Sequence, residues 1–141
     1  MRRWARPHRS GPGRAYGAGA EITTIDPQPR SYGHGALVTA ASRTLFVSGQ
    51  VPEDADGTVP DDFDAQCRLA WRNVLAVLEQ AGMGVRNLAK VTVFLSDRRY
   101  REANARIRHE VLGGHSPALT IIVTGIYDQA WLLEIEAVAV D

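Results

Sequence analysis

Polar and apolar positions along this chain follow two different periods, and the alternation of those periods sketches the fold. Leu88–Leu95, LAKVTVFL, is β-branched and mostly apolar with Lys90 and Thr92 on one face, which predicts a strand. Phe63, Cys67, Ala70, Trp71, Val74, Leu78 and Ala81 recur at helical spacing. Asp61 or Asp62 stands where an N-cap belongs, and Gly82 supplies the stop. A second helix is expected from Arg98 to about Leu112, capped by Asp97 and ended by Gly113-Gly114. Its inward stripe reads Tyr100, Ala103/Asn104, Ile107, Val111, so Asn104 carries an amide that needs partners inside.

The last quarter, Ser116–Val140, holds two apolar runs, Leu119–Thr124 and Trp131–Val140, around the turn-like Gly125–Asp128. They read as two strands. Strand period two puts Glu134 and Glu136 on the face of Leu132, Val138 and Val140, where a carboxylate is at a wet rim, paired, or part of a site. Earlier in the chain, Glu21–Ile25 predicts a short strand stopped by Asp26-Pro-Gln-Pro29, and Ser31–Gly35 a flexible loop. Leu37–Ala41 and Leu45–Val47 resemble the arms of a hairpin turning at Ser42-Arg43, and Glu53–Pro60 an acidic loop. The order is strands, helix, strand, helix, two strands. An α/β (α+β) domain with one mixed sheet and both helices on one face is the economical solution. The opposite face then needs a cover, and a symmetric partner supplies one.

Composition narrows the function classes. The 141 residues fit one domain. Residues 1–20 hold five arginines and no acid, and read as a disordered Arg/Gly-rich leader before a domain at 21–141. Arg2-Arg3 is not followed by the apolar segment an export signal requires. Beyond the leader, 11 basic side chains face 16 acidic ones, which argues against a nucleic-acid-binding body. No apolar run approaches the roughly 20 residues of a membrane span. The single Cys67 excludes an internal disulfide and suits a cytoplasmic setting; on the apolar stripe with Trp71, it reads as a buried structural thiol.

Phosphate-binding, dinucleotide-binding, zinc-protease and nucleophile-elbow signatures are all missing from the sequence. His8, His34, His109 and His115 lack metal-ligand spacing, so neither metal nor cofactor is expected. What remains is dispersed: Tyr32 and His34 among glycines, Ser48-Gly49-Gln50 after a strand, Asn104, and Glu134. Together they suggest a small-molecule cleft.

Five segments carry a resemblance. Leu45-Phe-Val-Ser-Gly-Gln-Val-Pro52, Asn73-Val-Leu-Ala-Val-Leu-Glu-Gln-Ala-Gly82, Leu88–Leu95, Ser116-Pro-Ala118 and Glu134-Ile-Glu-Ala-Val-Ala139 occur in the order and near the spacing of the RidA family, also called the YjgF/UK114 or endoribonuclease L-PSP family. The chain resembles that family from about Ile22 to Val140. The resemblance implies a chorismate-mutase-like fold, a homotrimer with a central barrel, and clefts between subunits. It implies hydrolysis of reactive 2-imino acids to 2-keto acids and ammonia. By motif it assigns Glu134, Tyr32 and Ser48 to the chemistry, and Asn104, Gly49, His34, Leu119 and Ile121 to substrate contacts.

One of these positions departs from the pattern. The family's Pro-Ala-Arg motif grips the substrate carboxylate with its arginine, and here Leu119 stands at that place. Leucine supplies neither the charge nor the bidentate geometry. Ile121, on the same strand face, replaces a residue that is often small, and His34 replaces a usual glutamine. The expectation is therefore an enzyme for an imine, enamine or similar compound lacking the free carboxylate of a small 2-imino acid, and not an archetypal 2-iminobutanoate/2-iminopropanoate deaminase. The alternatives are a non-catalytic ligand-binding or partner-stabilising trimer and, last, an endoribonuclease. Whether Arg43, Arg98 or a neighbouring subunit replaces the clamp is open at this level.

Overall fold

The computed structural model describes residues 19–141; most of the expected Arg-rich leader lies outside the described residues. Six strands and two helices follow in the order β1 (Glu21–Gln28), β2 (Tyr32–Thr39), β3 (Thr44–Gln50), α1 (Phe63–Gln80), β4 (Leu88–Leu95), α2 (Arg101–Leu112), β5 (Ala118–Val123) and β6 (Leu133–Val140). Short 3-10 turns precede β4 and α2. One mixed sheet results, in the order β1-β2-β5-β4-β6-β3. β4, α2 and β5 form a crossover unit with the two strands parallel and adjacent, while β6 runs antiparallel between β4 and β3.

The helices begin and end for the reasons their sequence suggests. The Asp62 carboxylate accepts from the Ala65 N–H at 3.2 Å, and Gly82 and Gly113 take the positive φ values (71° and 58°) that leave the helices. α1 and α2 cover one face of the sheet. The core holds Trp71, Val74 and Leu78 from α1, Ile107 from α2, Val91, Val93 and Leu95 from β4, and Leu133 and Ile135 from β6. Phe63 and Tyr100 stack at 4.4 Å between centroids and join the starts of the two helices. Arg106–Asp64 and Arg68–Glu110, each 2.7 Å, tie their outer flanks. Cys67 is fully buried, and desolvation pushes its thiol up to about 12, so it is a packing residue and no nucleophile.

The N-terminal half departs from the expected pattern. β2 and β3 are not the arms of one hairpin: β2 pairs with β1 in an unbroken antiparallel register, and β3 lies at the far edge against β6. Ser42-Arg43 has hairpin chemistry, but both N–H groups donate to the Asp141 carbonyl and so anchor β3 beside the chain end. β1 also runs through Pro27, which an edge strand tolerates because its outer N–H is not needed. The segment expected as a loop around Tyr32 and His34 is the start of β2.

The second sheet face has no helix over it. Phe46, Ser48, Thr92, Phe94, Glu134, Glu136 and Val138 point there, with Phe46 76% exposed.

Candidate active site

The turn between β1 and β2, Pro29-Arg30-Ser31, is fastened to α2. Arg30 and Ser31 both have positive φ (65° and 63°), a conformation that costs non-glycine residues about 1 kcal/mol or more each. Side-chain bonds hold it. Ser31 Oγ donates to the Gly113 carbonyl at 2.6 Å and lies 2.7 Å from His109 Nδ1. Arg30 Nη1 donates to Glu102 Oε2 at 2.8 Å, and this bond keeps the Glu102 carboxyl below its usual range. Below the turn, the Gly33 N–H donates to the Pro117 carbonyl, so β2 joins β5 at a single register pair, Gly33 with Ala118. The first residue of β2, Tyr32, is thereby set at the mouth between β5 and α2.

There a cleft of about 450 Å³ opens, lined by Tyr32, Leu119, Ile121, Arg101, Ala105 and Arg108 among others. Its volume is within the roughly 300–1,000 Å³ of small-molecule sites. The parallel register explains two of these residues. Leu119 is level with Val91 and Ile121 with Val93, so both share the helix-covered face. Tyr32 and Leu119 are 87 positions apart in the sequence and meet in one wall.

Arg108 is the residue the sequence reading passed over. It follows Asn104 by four on α2 and so falls on the same buried stripe, a signal that the pattern did contain. The side chain is 97% buried, with a relative exposure of 3%. Its Nε and Nη2 donate to the Arg30 carbonyl at 3.4 and 3.3 Å, and its Cζ lies 5.9 Å from the Tyr32 ring centroid. Nη1 has no partner among the described residues. Burial lowers the guanidinium pKa from its ordinary value, and the nearby Arg30 charge acts the same way.

The other motif residues form a second group. Glu134 stands opposite Phe94 on the helix-free face, and its half-buried carboxylate lies over Gly49: a Cβ at position 49 would collide with it. Ser48 lines a shallow hollow on that face with Lys90, Thr92 and Glu136. Lys90 donates its ammonium to Thr120 Oγ1 at 2.6 Å. Glu134 and Leu119 are thus on opposite faces of the sheet within one chain. His34 is exposed on β2, with Nδ1 3.8 Å from Asp26. Asn104 is fully buried, does not line the cleft, and neither atom of its amide has a partner among the described residues. Neither Arg43 nor Arg98 lines the cleft; Arg43 is paired with Asp141 and donates to the Ala81 carbonyl.

Among the described residues no cluster of His, Cys, Asp and Glu is suited to a metal ion, and no helix is long and apolar enough to cross a membrane. The family model described as Endoribonuclease L-PSP matches residues 27–141. The chain belongs to this family, the RidA family. A RutC family protein of Pyrococcus horikoshii is 30% identical over 121 residues, covering 84% of this chain and 96% of the relative. Escherichia coli TdcF, named as a putative reactive intermediate deaminase, is 31% identical over 100 residues, 68% of this chain and 78% of its own. Its crystal structure with bound serine superposes with a TM-score of 0.67 at 27% identity over 84% of this chain and 99% of TdcF. A Rid family protein of Yersinia pestis shares the fold with a TM-score of 0.75 at 23% identity, over 86% and 98% of the two chains. The mixed sheet with two helices is the fold of the family.

Proposed function

We propose that this RidA family member is a homotrimeric hydrolase of a reactive imine or enamine, with an altered substrate relative to small 2-imino acids. The meeting of Tyr32 and Leu119 in one cleft carries the reading, because a motif position assigned to the chemistry and one assigned to substrate contact converge there. The relative named as a reactive intermediate deaminase supports the reaction class.

In this reading Glu134, Ser48 and Gly49 act from a neighbouring copy. Within one chain they are on the face away from Leu119, and that face carries exposed Phe46 and Ile122 (44% exposed), an apolar surface suited to symmetric burial. Water adds to the carbon of the protonated imine as one of its protons passes to the Glu134 carboxylate, which gives a neutral carbinolamine. Glu134 returns that proton to the nitrogen, the C–N bond breaks to release ammonia, and the hydroxyl proton passes to Glu134 as the carbonyl forms. Leu119 leaves no guanidinium at the archetypal clamp position, so 2-iminopropanoate should be a poor substrate.

An amino-acid oxidase generating imines in situ tests this directly. Ammonia release from 2-iminopropanoate should be barely accelerated, and release from imines with larger apolar side chains clearly accelerated. Glu134→Gln should lower that turnover about 10²–10⁴-fold. Fast turnover of 2-iminopropanoate would sink the altered-substrate reading. A second reading, a ligand-binding trimer without chemistry, is favoured by the separation of Glu134 from the cleft within one chain. It would be supported by ligand protection against heat in the absence of any turnover.

A further inference from the structure

We propose that Arg108 is the anion-binding group of the cleft, so that the ligand is a carboxylate with an apolar body, gripped from α2 instead of from β5. The proposal rests on the reading above for the chemistry, though not for the binding, and it replaces the expectation of a substrate without a free carboxylate.

The geometry separates Arg108 from an ordinary structural arginine. A guanidinium offers five N–H donors, and a buried one ordinarily satisfies them on a carboxylate or several carbonyls. Here the Arg30 carbonyl alone receives two of them, at 3.3 and 3.4 Å, beyond the 2.7–3.2 Å of good N–H···O bonds. Nη1 is left over. Pinning the turn does not require Arg108, because Ser31 and Arg30 already hold it to α2 through bonds of 2.6 and 2.8 Å. The one carboxylate in the cleft wall, Glu102, is engaged by Arg30. A charge 97% buried and short of partners in the wall of a cleft is costly to keep unless an anion completes it; Nη1 is itself buried, so a ligand reaches it through a small shift of the side chain.

The remaining walls describe the rest of the ligand. Leu119, Ile121 and Ala105 are the apolar part of the cleft lining, beside charged Arg30, Arg101 and Glu102, while Tyr32 lies beside the Arg108 guanidinium and presents a ring and a hydroxyl. The loss of an arginine at position 119 and the presence of one at 108 fit together. The first removes the anchor for a small carboxylate on β5, and the second supplies one on α2 in a cleft that also has apolar lining. A 2-imino acid with a branched aliphatic side chain has the matching shape.

Calorimetric titration of the full-length protein with 4-methyl-2-oxopentanoate and with its neutral amide tests the binding without reference to turnover. The keto acid should bind about 10- to 150-fold more tightly than the amide, the ratio expected for hydrogen bonds to a charged group. Arg108→Gln should erase that preference and Arg108→Lys retain part of it. Ala105→Glu, which leaves Arg108 in place but sets a carboxylate beside it, should erase the preference too. It decides the matter if Arg108→Gln does not fold. Equal affinity for acid and amide in the wild type, or a preference that survives Ala105→Glu, overturns the proposal. Turnover of the corresponding imine is measured separately. Arg108-dependent binding without turnover upholds the anion site and removes the deaminase reading. Turnover indifferent to the carboxylate and to Arg108→Gln does the reverse.

Discussion

Arg108 on α2 and Leu119 on β5 line the same cleft, one with a buried and incompletely bonded guanidinium, the other with an aliphatic side chain. On the proposed reading, the cation that the family motif places on the sheet is supplied by the helix, and it approaches a ligand from a different direction.

Returning an arginine to the sheet should therefore recover the archetypal preference. Leu119→Arg places a guanidinium at the motif position, where a carboxylate bond is worth about 1.5–3 kcal/mol. Converted to rate, kcat/KM for 2-iminopropanoate should rise about 10- to 150-fold. Oxidase-coupled ammonia release measures it. No gain would show that the cleft around position 119 is not where the substrate carboxylate lies.

Gly49 and Glu134 allow stability and chemistry to be separated. A methyl group at position 49 meets the far end of the Glu134 side chain, which can swing away. Gly49→Ala should thus change stability by less than about 1 kcal/mol. The carboxylate would be displaced by an ångström or more, and misplacement on that scale costs about 10²-fold in turnover. Urea midpoints together with kcat check the pair of expectations. Full activity in a well-folded Gly49→Ala would remove Glu134 from the chemistry.

What the sequence revealed and what it concealed divide along physical lines. α1, β4, α2 and the closing strands follow local signals: caps at Asp62 and Asp97, stops at Gly82 and Gly113, and clear periodicity between them. The partners of β2 and β3 depend on contacts distant in sequence, and no turn motif at Ser42-Arg43 can report that β6 will be the neighbour of β3. Likewise, Pro27 reads as a strand breaker until β1 is known to be an edge. At the site, Leu119 was legible because it violates a motif. Arg108 belongs to no motif, and its place on the buried stripe was masked by the expectation that such stripes are apolar.

The Arg30–Glu102 pair should give the turn a pH dependence of definite sign. The Glu102 carboxyl is held below its usual range by the Arg30 bond. Its contribution is therefore complete above the unfolded carboxylate pKa and is lost as pH falls through the lowered folded value. With Glu102 77% exposed, the effect is small and screened by salt. Urea midpoints for wild type and Glu102→Gln should converge in acid and separate towards neutrality, with the wild type higher. Curves that run parallel across the range would contradict the assignment.

Asn104 supplies the sharpest stability test. Its amide is fully buried with neither Nδ2 nor Oδ1 bonded among the described residues, and it is not part of the cleft lining. An unsatisfied buried polar group costs about 1–3 kcal/mol, whereas an apolar side chain of similar size costs nothing of that kind. Asn104→Leu should accordingly raise the urea midpoint with an unchanged m value, a gain of about 1–3 kcal/mol. Affinity for cleft ligands should stay as it was, because the amide does not reach them. Loss of stability would instead mean that the amide is bonded in solution, through internal water or a second subunit, and that its position on the inner stripe serves the assembled site.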